Sequence, residues 1–187
     1  KVEDEDVHEL LTLHVYYSKG TITESLFSGQ HMQYAVIGEQ VSTITNSVFA
    51  NCPNLQWVTI GNSTETIGNS NFANCPNLQW VSVPDVVHTF GSNNFLNDNK
   101  VTLKIRNVDK EIDDNVYYDN LLYVTKVEIE NGIERIGQYA FYNDTSLLVV
   151  SVPNTVNYIG QYAFYNCNSI KAINIPNGVQ AIYSHTF

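Results

Sequence analysis

The sequence predicts a solenoid of mainly β structure, with one strand in each 23-residue coil and short strands or helical turns on the return side. Three observations carry this expectation: a repeat with a constant period, an apolar spacing that ends in strand alternation, and a scarcity of charge. Residues 41–63 (VSTITNSVFANCPNLQWVTIGNS) and 64–86 (TETIGNSNFANCPNLQWVSVPDV) align without a gap. So do 133–155 (IERIGQYAFYNDTSLLVVSVPNT) and 156–178 (VNYIGQYAFYNCNSIKAINIPNG). Within each unit the apolar residues follow L-x-x-V-x-I, whose last three positions alternate as a half-buried strand does. Leu55/Val58/Ile60, Leu78/Val81/Val83, Val124/Val127/Ile129, Leu147/Val150/Val152 and Ile170/Ile173/Ile175 show it. Leu10/Leu13/Val15 and the weaker Met32/Ala35/Ile37 extend it towards the N-terminus, making about eight strands in all. A second apolar pair, such as Ile67 and Phe72, marks the return path; it is too short for a long helix.

The lattice has named columns. Phe49, Phe72, Phe95, Phe141, Phe164 and Phe187 share it, with a double step between 95 and 141 where Tyr118 takes the missing point. Two residues after the phenylalanines and Tyr118 stand Asn51, Asn74, Asn97, Asn120, Asn143 and Asn166. Cys52, Cys75 and Cys167 share a third column. The lattice slips once. Ile67 precedes Phe72 by five residues but Ile112 precedes Tyr118 by six, and the strand at Val101–Ile105 comes one residue early. One residue is therefore expected to be missing near 96–102 and regained between 113 and 117. Residues 1–9 read as an acidic N-terminal segment, and 10–187 as a single solenoid domain, irregular at 87–132 and stopping mid-unit at Phe187. No unit covering the last apolar edge is visible there, so further repeats or self-association at the C-terminal end are expected.

Composition excludes several functions. The 187 residues carry 9 Lys+Arg against 19 Asp+Glu, a net charge of −10, and no basic stripe, which speaks against nucleic-acid binding. An apolar fraction of 43% is too high for a disordered acidic tail. The longest apolar run, Leu147–Val150, is far too short to span a bilayer.

The unit I-G-x-x-x-F-x-N-C-x-x-L-x-x-V-x-I-P resembles the BspA-type leucine-rich repeat. Ile67-Gly68, Phe72, Asn74-Cys75, Leu78, Val81 and Val83-Pro84 carry the resemblance, as do Ile159-Gly160, Phe164, Asn166-Cys167, Ile170, Ile173 and Ile175-Pro176. It covers about residues 10–187 and departs at 87–132, where Asp98 and Leu121 stand in place of Cys. The resemblance implies a leucine-rich-repeat solenoid with one continuous parallel sheet. It also implies surface display, adhesion and contact with host or extracellular-matrix proteins, and hence a cell-surface or secreted location.

Little in the chain suggests chemistry. There is no H-E-x-x-H, G-x-S-x-G, P-loop or G-x-G-x-x-G, and the histidines His8, His14, His31, His88 and His185 are scattered. Residues many coils apart cannot meet in a solenoid, so no catalytic residues and no cofactor are assigned, and no enzyme activity is expected. Asp109, Glu111, Asp113, Asp114, Asp119 and Asn120 form the densest oxygen cluster, a weak calcium candidate. EF-hand spacing fails, since Asp114 stands where Gly belongs and Asn120 where the bidentate Glu belongs, so a solvated acidic turn is expected. The Cys column reads as stacked small core residues, with a Cys52–Cys75 disulfide as the alternative because adjacent strands lie within bridging distance. The Asn column reads as turn chemistry. Asn62-Ser63-Thr64 and Asn143-Asp144-Thr145 are sequons, relevant only to a secreted chain in a glycosylating source.

One feature has no easy core explanation. Alternation sends Val58 and Ile60 inward, so Trp57 points out, with Trp80 and Tyr34 at the same height in the neighbouring units. Gln33, Gln56 and Gln79 flank this row, and beyond it the column continues with Lys126, Val149 and Ala172. Such an exposed aromatic row suits a protein partner, with a glycan as a further candidate. Cross-strand stiffening, duplication of one unit, or cover by the N-terminal segment are the competing explanations. The expected function is a non-enzymatic protein-binding or adhesion module. The alternatives are a structural spacer or oligomerisation array, and an intracellular repeat scaffold.

Overall fold

The computed structural model describes residues 12–15 and 20–187; for residues 12–15 it describes the backbone strand. The acidic segment, Leu10 and His8 lie outside the described residues, as do the side chains of Leu13, His14 and Val15. Among the described residues fourteen strands follow one another: β1 Thr12–Val15, β2 Gly20–Ile22, β3 Tyr34–Ile37, β4 Val41–Ile44, β5 Trp57–Thr59, β6 Thr66–Ile67 and β7 Trp80–Pro84. Then come β8 Thr89–Phe90, β9 Val101–Arg106, β10 Glu111–Ile112, β11 Val124–Ile129, β12 Arg135–Ile136, β13 Val149–Ser151 and β14 Tyr158–Ile159. The odd-numbered strands form a seven-stranded parallel sheet in the order β1-β3-β5-β7-β9-β11-β13. The eighth expected strand is reduced to one parallel bridge, Val150 to Ile173. The even-numbered strands line the return side in two separate sheets, β2-β4-β6-β8 and β10-β12-β14.

Among the described residues no helix forms, and the return path runs as short strands followed by turns. The reason lies in where the turn N–H groups go. Ser47, Phe49 and Asn51 donate to the carbonyls of Asn69, Asn71 and Ala73 on the next coil, at 2.9, 2.9 and 2.8 Å. Donors spent between coils cannot close helical rings within one. Left-handed residues interrupt the turn as well: Ser47, Ser70 and Asn93 at its start, with φ of 56°, 56° and 57°, and the Asn column at its end.

The core is a set of stacked columns. The phenylalanine rings Phe27, Phe49, Phe72 and Phe95 succeed one another at centroid distances of 5.5, 6.0 and 5.7 Å. Phe27, 22 residues before Phe49, is a member that the constant period hides. After the slip the column resumes with Tyr117, Phe141, Phe164 and Phe187 at 5.4, 5.2 and 5.8 Å. The core residue is thus Tyr117, 1% exposed, and the sequence expectation for Tyr118 is corrected: Tyr118 is 41% exposed and stacks outside on Tyr142. Phe90 fills the break, lying 6.0 Å from Phe95 and edge-on to Tyr117 at 5.2 Å.

The register locates the slip. Trp80 pairs with Thr102, 22 residues on, and Thr102 with Lys126, 24 residues on, with a bulge between Val124 and Lys126. Leu121 still accepts the regular spacing, its N–H bonding Asp144, 23 residues on. The residue is lost between Val101 and Thr102, within the expected interval. It is regained at Asn120, not between 113 and 117, because Tyr117 and not Tyr118 occupies the core. The slip splits the return side between β8 and β10, and the extra residue seals the break: the Asn120 amide donates to the Phe90 carbonyl at 2.9 Å.

Coils pack so closely at the Ile-Gly position that no side chain fits there. A Cβ on Gly160 would lie 2.6 Å from the Gln138 nitrogen and 2.7 Å from the Gly137 carbonyl carbon, whereas one on Gly178 would meet nothing nearer than 3.4 Å. Gly160→Ala should therefore cost about 1–3 kcal/mol through forced separation of coils, with Gly178→Ala near neutral. Urea midpoints of the two variants check this, and equal midpoints would remove the close-approach argument.

Candidate functional site

The sheet face is built by alternation. In β9 the residues Val101, Leu103 and Ile105 are buried while Thr102, Lys104 and Arg106 face outward, and β5 repeats the pattern around Val58. Parallel pairing in register then aligns Tyr34, Trp57, Trp80, Thr102, Lys126 and Val149 in one outward column. In the same sheet His14 pairs with Val36. Tyr34 stacks on Trp57 at 4.6 Å and Trp57 on Trp80 at 5.0 Å, the two indoles only 2° from parallel. All three rings are half-buried. Stacking at this spacing turns ring faces towards each other and ring edges towards solvent. The row ends where the Lys104 ammonium lies 4.1 Å above the Trp80 ring.

Gln33, Gln56 and Gln79 form the rung beside this row. Gln56 N–H donates to the Gln33 carbonyl at 2.7 Å, Gln79 N–H to Gln56 at 2.8 Å, and Thr102 N–H to Gln79 at 2.8 Å. With Asn54 and Asn77 these glutamines line a shallow polar cleft of about 300 Å³. Asn54 and Asn77 are 23 residues apart, so the lattice could have found them. On the other side of the row a groove of about 500 Å³ is walled by Trp80, Thr59 and Ser82, with Lys104, Arg106, Glu128 and Glu130 facing it. Lys104 and Arg106 carried no sequence signal, because the slip hides their register.

The other columns are structural. Asn51, Asn74, Asn97, Asn143 and Asn166 adopt φ of 60–65°, the left-handed geometry Asn tolerates. Their amides hand on hydrogen bonds, Asn74 to Asn51 at 2.9 Å, Asn97 to Asn74 at 2.8 Å, and Asn166 to Asn143. Asn120 is not in this column. Asp119 takes its place with φ of 52° and accepts from Asn143 at 2.7 Å, because the core tyrosine two residues earlier is Tyr117. A second, buried asparagine column escaped the sequence reading: Asn71 and Asn94 are fully buried, and their oxygens accept the N–H groups of Val48 and Asn71 at 3.0 and 2.8 Å.

Cys52, Cys75 and Cys167 are buried free thiols that donate to the carbonyls of Phe27, Phe49 and Phe141 at 3.3, 3.2 and 3.0 Å. Burial pushes the Cys167 thiol up to about 12. In this column Asp98 and Asp144 replace Cys. Each accepts one N–H through Oδ1, from Cys75 at 2.7 Å and from Leu121 at 3.1 Å, and each leaves Oδ2 buried without a partner. Burial raises the Asp98 carboxyl to about 7 and drives Asp144 well above the ordinary carboxylate range.

The acidic cluster is dispersed. Asp114 pairs with Arg135 at 2.8 Å and accepts the Gln138 N–H at 2.8 Å, and Asp113 pairs with His88. Glu111 stands 3.8 Å from Arg135, and the Asp109 N–H donates to Asp85 at 2.9 Å. Among the described residues no three His, Cys, Asp or Glu side chains stand close enough to hold a metal ion. The return side carries a second aromatic patch. Tyr139 stacks on Tyr162 at 4.7 Å, Tyr162 on His185 at 5.0 Å, and Tyr142 on Tyr165 at 5.5 Å.

Comparison with known proteins gives these observations a family. The sequence model described as "BspA type Leucine rich repeat region" matches in six copies over residues 20–148 and 110–187. No curated protein matches the chain. A leucine-rich repeat protein from Bacteroides ovatus shares 22% identity and a TM-score of 0.50 over 90% of this chain and 47% of its own. A leucine rich cell surface protein from Faecalibacterium prausnitzii shares 15% identity and a TM-score of 0.40 over 94% of this chain and 78% of its own. The pneumococcal vaccine antigen PcpA shares 18% identity and a TM-score of 0.41 over 87% and 55%. This chain thus spans about half the length of two of the three. At 22% identity the likeness to the B. ovatus protein concerns the fold alone, a parallel β-solenoid. Among the described residues no helix is long and apolar enough to cross a membrane. The glycine, phenylalanine, asparagine and cysteine columns and the match over residues 20–187 agree, and the chain belongs to the BspA-type leucine-rich repeat family.

Proposed function

We propose that this chain is a non-enzymatic binding module of a cell-surface or secreted protein, and that it engages a protein partner, host or matrix, through its sheet face. The observation that carries the reading is the Tyr34–Trp57–Trp80 row, half-exposed on the outward side of a rigid sheet and ending under the Lys104 ammonium. Large rings already held by stacking lose little entropy on contact, which suits them as anchors. The ring geometry favours a protein over a sugar as the occupant. Sugar rings stack on exposed aromatic faces, and here the inner faces are turned to one another at 4.6 and 5.0 Å. The edges that remain, with the glutamine amides beside them, match the mixed apolar and polar surface of a protein. The surface location draws on the family and on the cell-surface description of the F. prausnitzii protein.

The test is affinity capture from extracellular-matrix and cell-surface extracts, followed by titration of the captured protein. Trp57→Ala combined with Trp80→Ala should weaken binding by about 100-fold or more, since two central anchors are each worth about 2 kcal/mol. The same variant should keep a cooperative unfolding transition, because the core columns are untouched. Undiminished binding by the double variant would remove the sheet face from the function.

A further inference from the structure

The sheet face carries more positive charge than the chain as a whole. The net charge is −10, yet three of the nine Lys and Arg residues, Lys104, Arg106 and Lys126, project from two neighbouring strands, β9 and β11. The carboxylates among them are already engaged. Glu128 pairs with Lys126 at 2.5 Å, and Glu130 accepts the Asn107 N–H at 2.6 Å. Lys104 makes no ion pair among the described residues; its ammonium rests 4.1 Å above the Trp80 ring. Arg106 is met by neutral acceptors, the Asn62 amide oxygen at 2.6 Å and the Ile60 carbonyl, and its Nε is buried without a partner. Among the described residues neither cation makes an ion pair, although the charges of Glu39, Glu130 and Asp85 act on Arg106 from further off, and both face one groove of about 500 Å³ walled by Trp80.

We propose that this groove takes an extended peptide segment of the partner that bears a single Asp or Glu flanked by apolar residues, with the carboxylate meeting Lys104 and the apolar flank lying against Trp80. The inference rests on the sheet-face reading above. A carboxylate entering here exchanges water for a charge-assisted hydrogen bond beside an aromatic wall, where the lowered polarity strengthens it. The surroundings select an isolated charge. A polyanion running along the solenoid axis would leave Lys104 for Glu128 on the next strand and then the rest of an acidic chain, and would meet repulsion at each coil. An anionic polysaccharide is the occupant this arrangement disfavours.

Trp57 and Trp80 are the chain's two tryptophans, so intrinsic fluorescence reports on the groove directly. A carboxylate that draws Lys104 off the Trp80 ring should change the emission. The probes are the acetylated, amidated peptides Ser-Leu-Glu-Leu-Ser and Ser-Leu-Gln-Leu-Ser, and heparin as polyanion. The Glu peptide should give a saturable change at least ten-fold tighter than the Gln peptide. Lys104→Gln should abolish that difference, and Lys104→Arg should preserve it. Equal responses to both peptides, no saturable response, or tighter binding of heparin than of the Glu peptide would each overturn the inference. The outcomes separate the two levels. If the captured partner depends on Trp57 and Trp80 but the Glu peptide fails, the carboxylate pocket falls and the binding face stands. If the partner ignores Trp57 and Trp80, the face itself falls.

Discussion

Tyr117→Ala should destabilise the solenoid by about 3–5 kcal/mol, while Tyr118→Ala should cost about 1 kcal/mol or less. The two residues are neighbours of the same type, so the contrast isolates position. Tyr117 is 1% exposed, stacked on Phe141 at 5.4 Å and edge-on to Phe90 at 5.2 Å. Together with Phe90 it connects the phenylalanine column across the slip, and its removal leaves a cavity where the coils are already mismatched. Tyr118 is 41% exposed and loses its stacking on Tyr142, at 4.6 Å, and a tilted contact with Tyr139, at 6.2 Å. Urea unfolding of both variants checks the prediction. A larger loss for Tyr118→Ala would return the slip to the interval between 113 and 117 and undo the assignment of Asn120 as the inserted residue. Tyr117→Phe should retain most of the stability, since the ring and not the hydroxyl fills the column.

Asp98→Asn should stabilise the protein at pH 8 by an amount of order 2–4 kcal/mol, and the gain should shrink as pH falls below about 7 and vanish only below about 3.8. Asp98 sits in the cysteine column, 5% exposed, with Oδ1 accepting the Cys75 N–H and Oδ2 without a partner. Burial raises its carboxyl from 3.8 to about 7. The sign follows from that direction. A raised folded value means that the folded chain holds this proton more tightly than the unfolded chain. The stability so contributed is complete below about 3.8 and is lost as pH rises through about 7. At pH 8 the native protein must bury a charge that the amide does not carry, and Asn keeps the oxygen that accepts from Cys75. Below about pH 3.8 the acid is neutral in the folded and the unfolded chain alike, and the two side chains become equivalent. Thermal midpoints of both proteins between about pH 3 and pH 8 measure the gap. A constant difference across that range would show that Asp98 does not titrate in the folded chain.

Much of the architecture was legible because a solenoid makes tertiary contacts out of sequence period. Residues 23 apart are stacked neighbours, so the periodic rows of Phe49 and Phe72, Asn51 and Asn74, and Trp57 and Trp80 are already contacts written in one dimension. Strand alternation then decided which face each row occupies, which is why the outward row of Tyr34, Trp57 and Trp80 could be placed without coordinates. The same logic failed wherever the period changed. Phe27 was missed because it stands 22 residues from Phe49. Tyr117 and Tyr118 satisfy the pattern equally within one residue, and only packing against Phe90 and Phe141 separates them.

By itself, then, the sequence determined a solenoid with one strand per coil, most of its core columns and the side on which its aromatic row stands, because neighbour-only contacts translate directly into spacing; the parallel sheet followed from the family resemblance. Only the tertiary structure decided the rest. Turn donors bond the next coil in place of a helix, the inserted Asn120 closes the return side at Phe90, and the indole faces are spent on one another. Lys104 reaches diagonally over Trp80 from the strand beyond. These outcomes depend on how one coil is set against the next in angle and shift, a relation between chains of atoms that a period measures in residues and cannot orient in space.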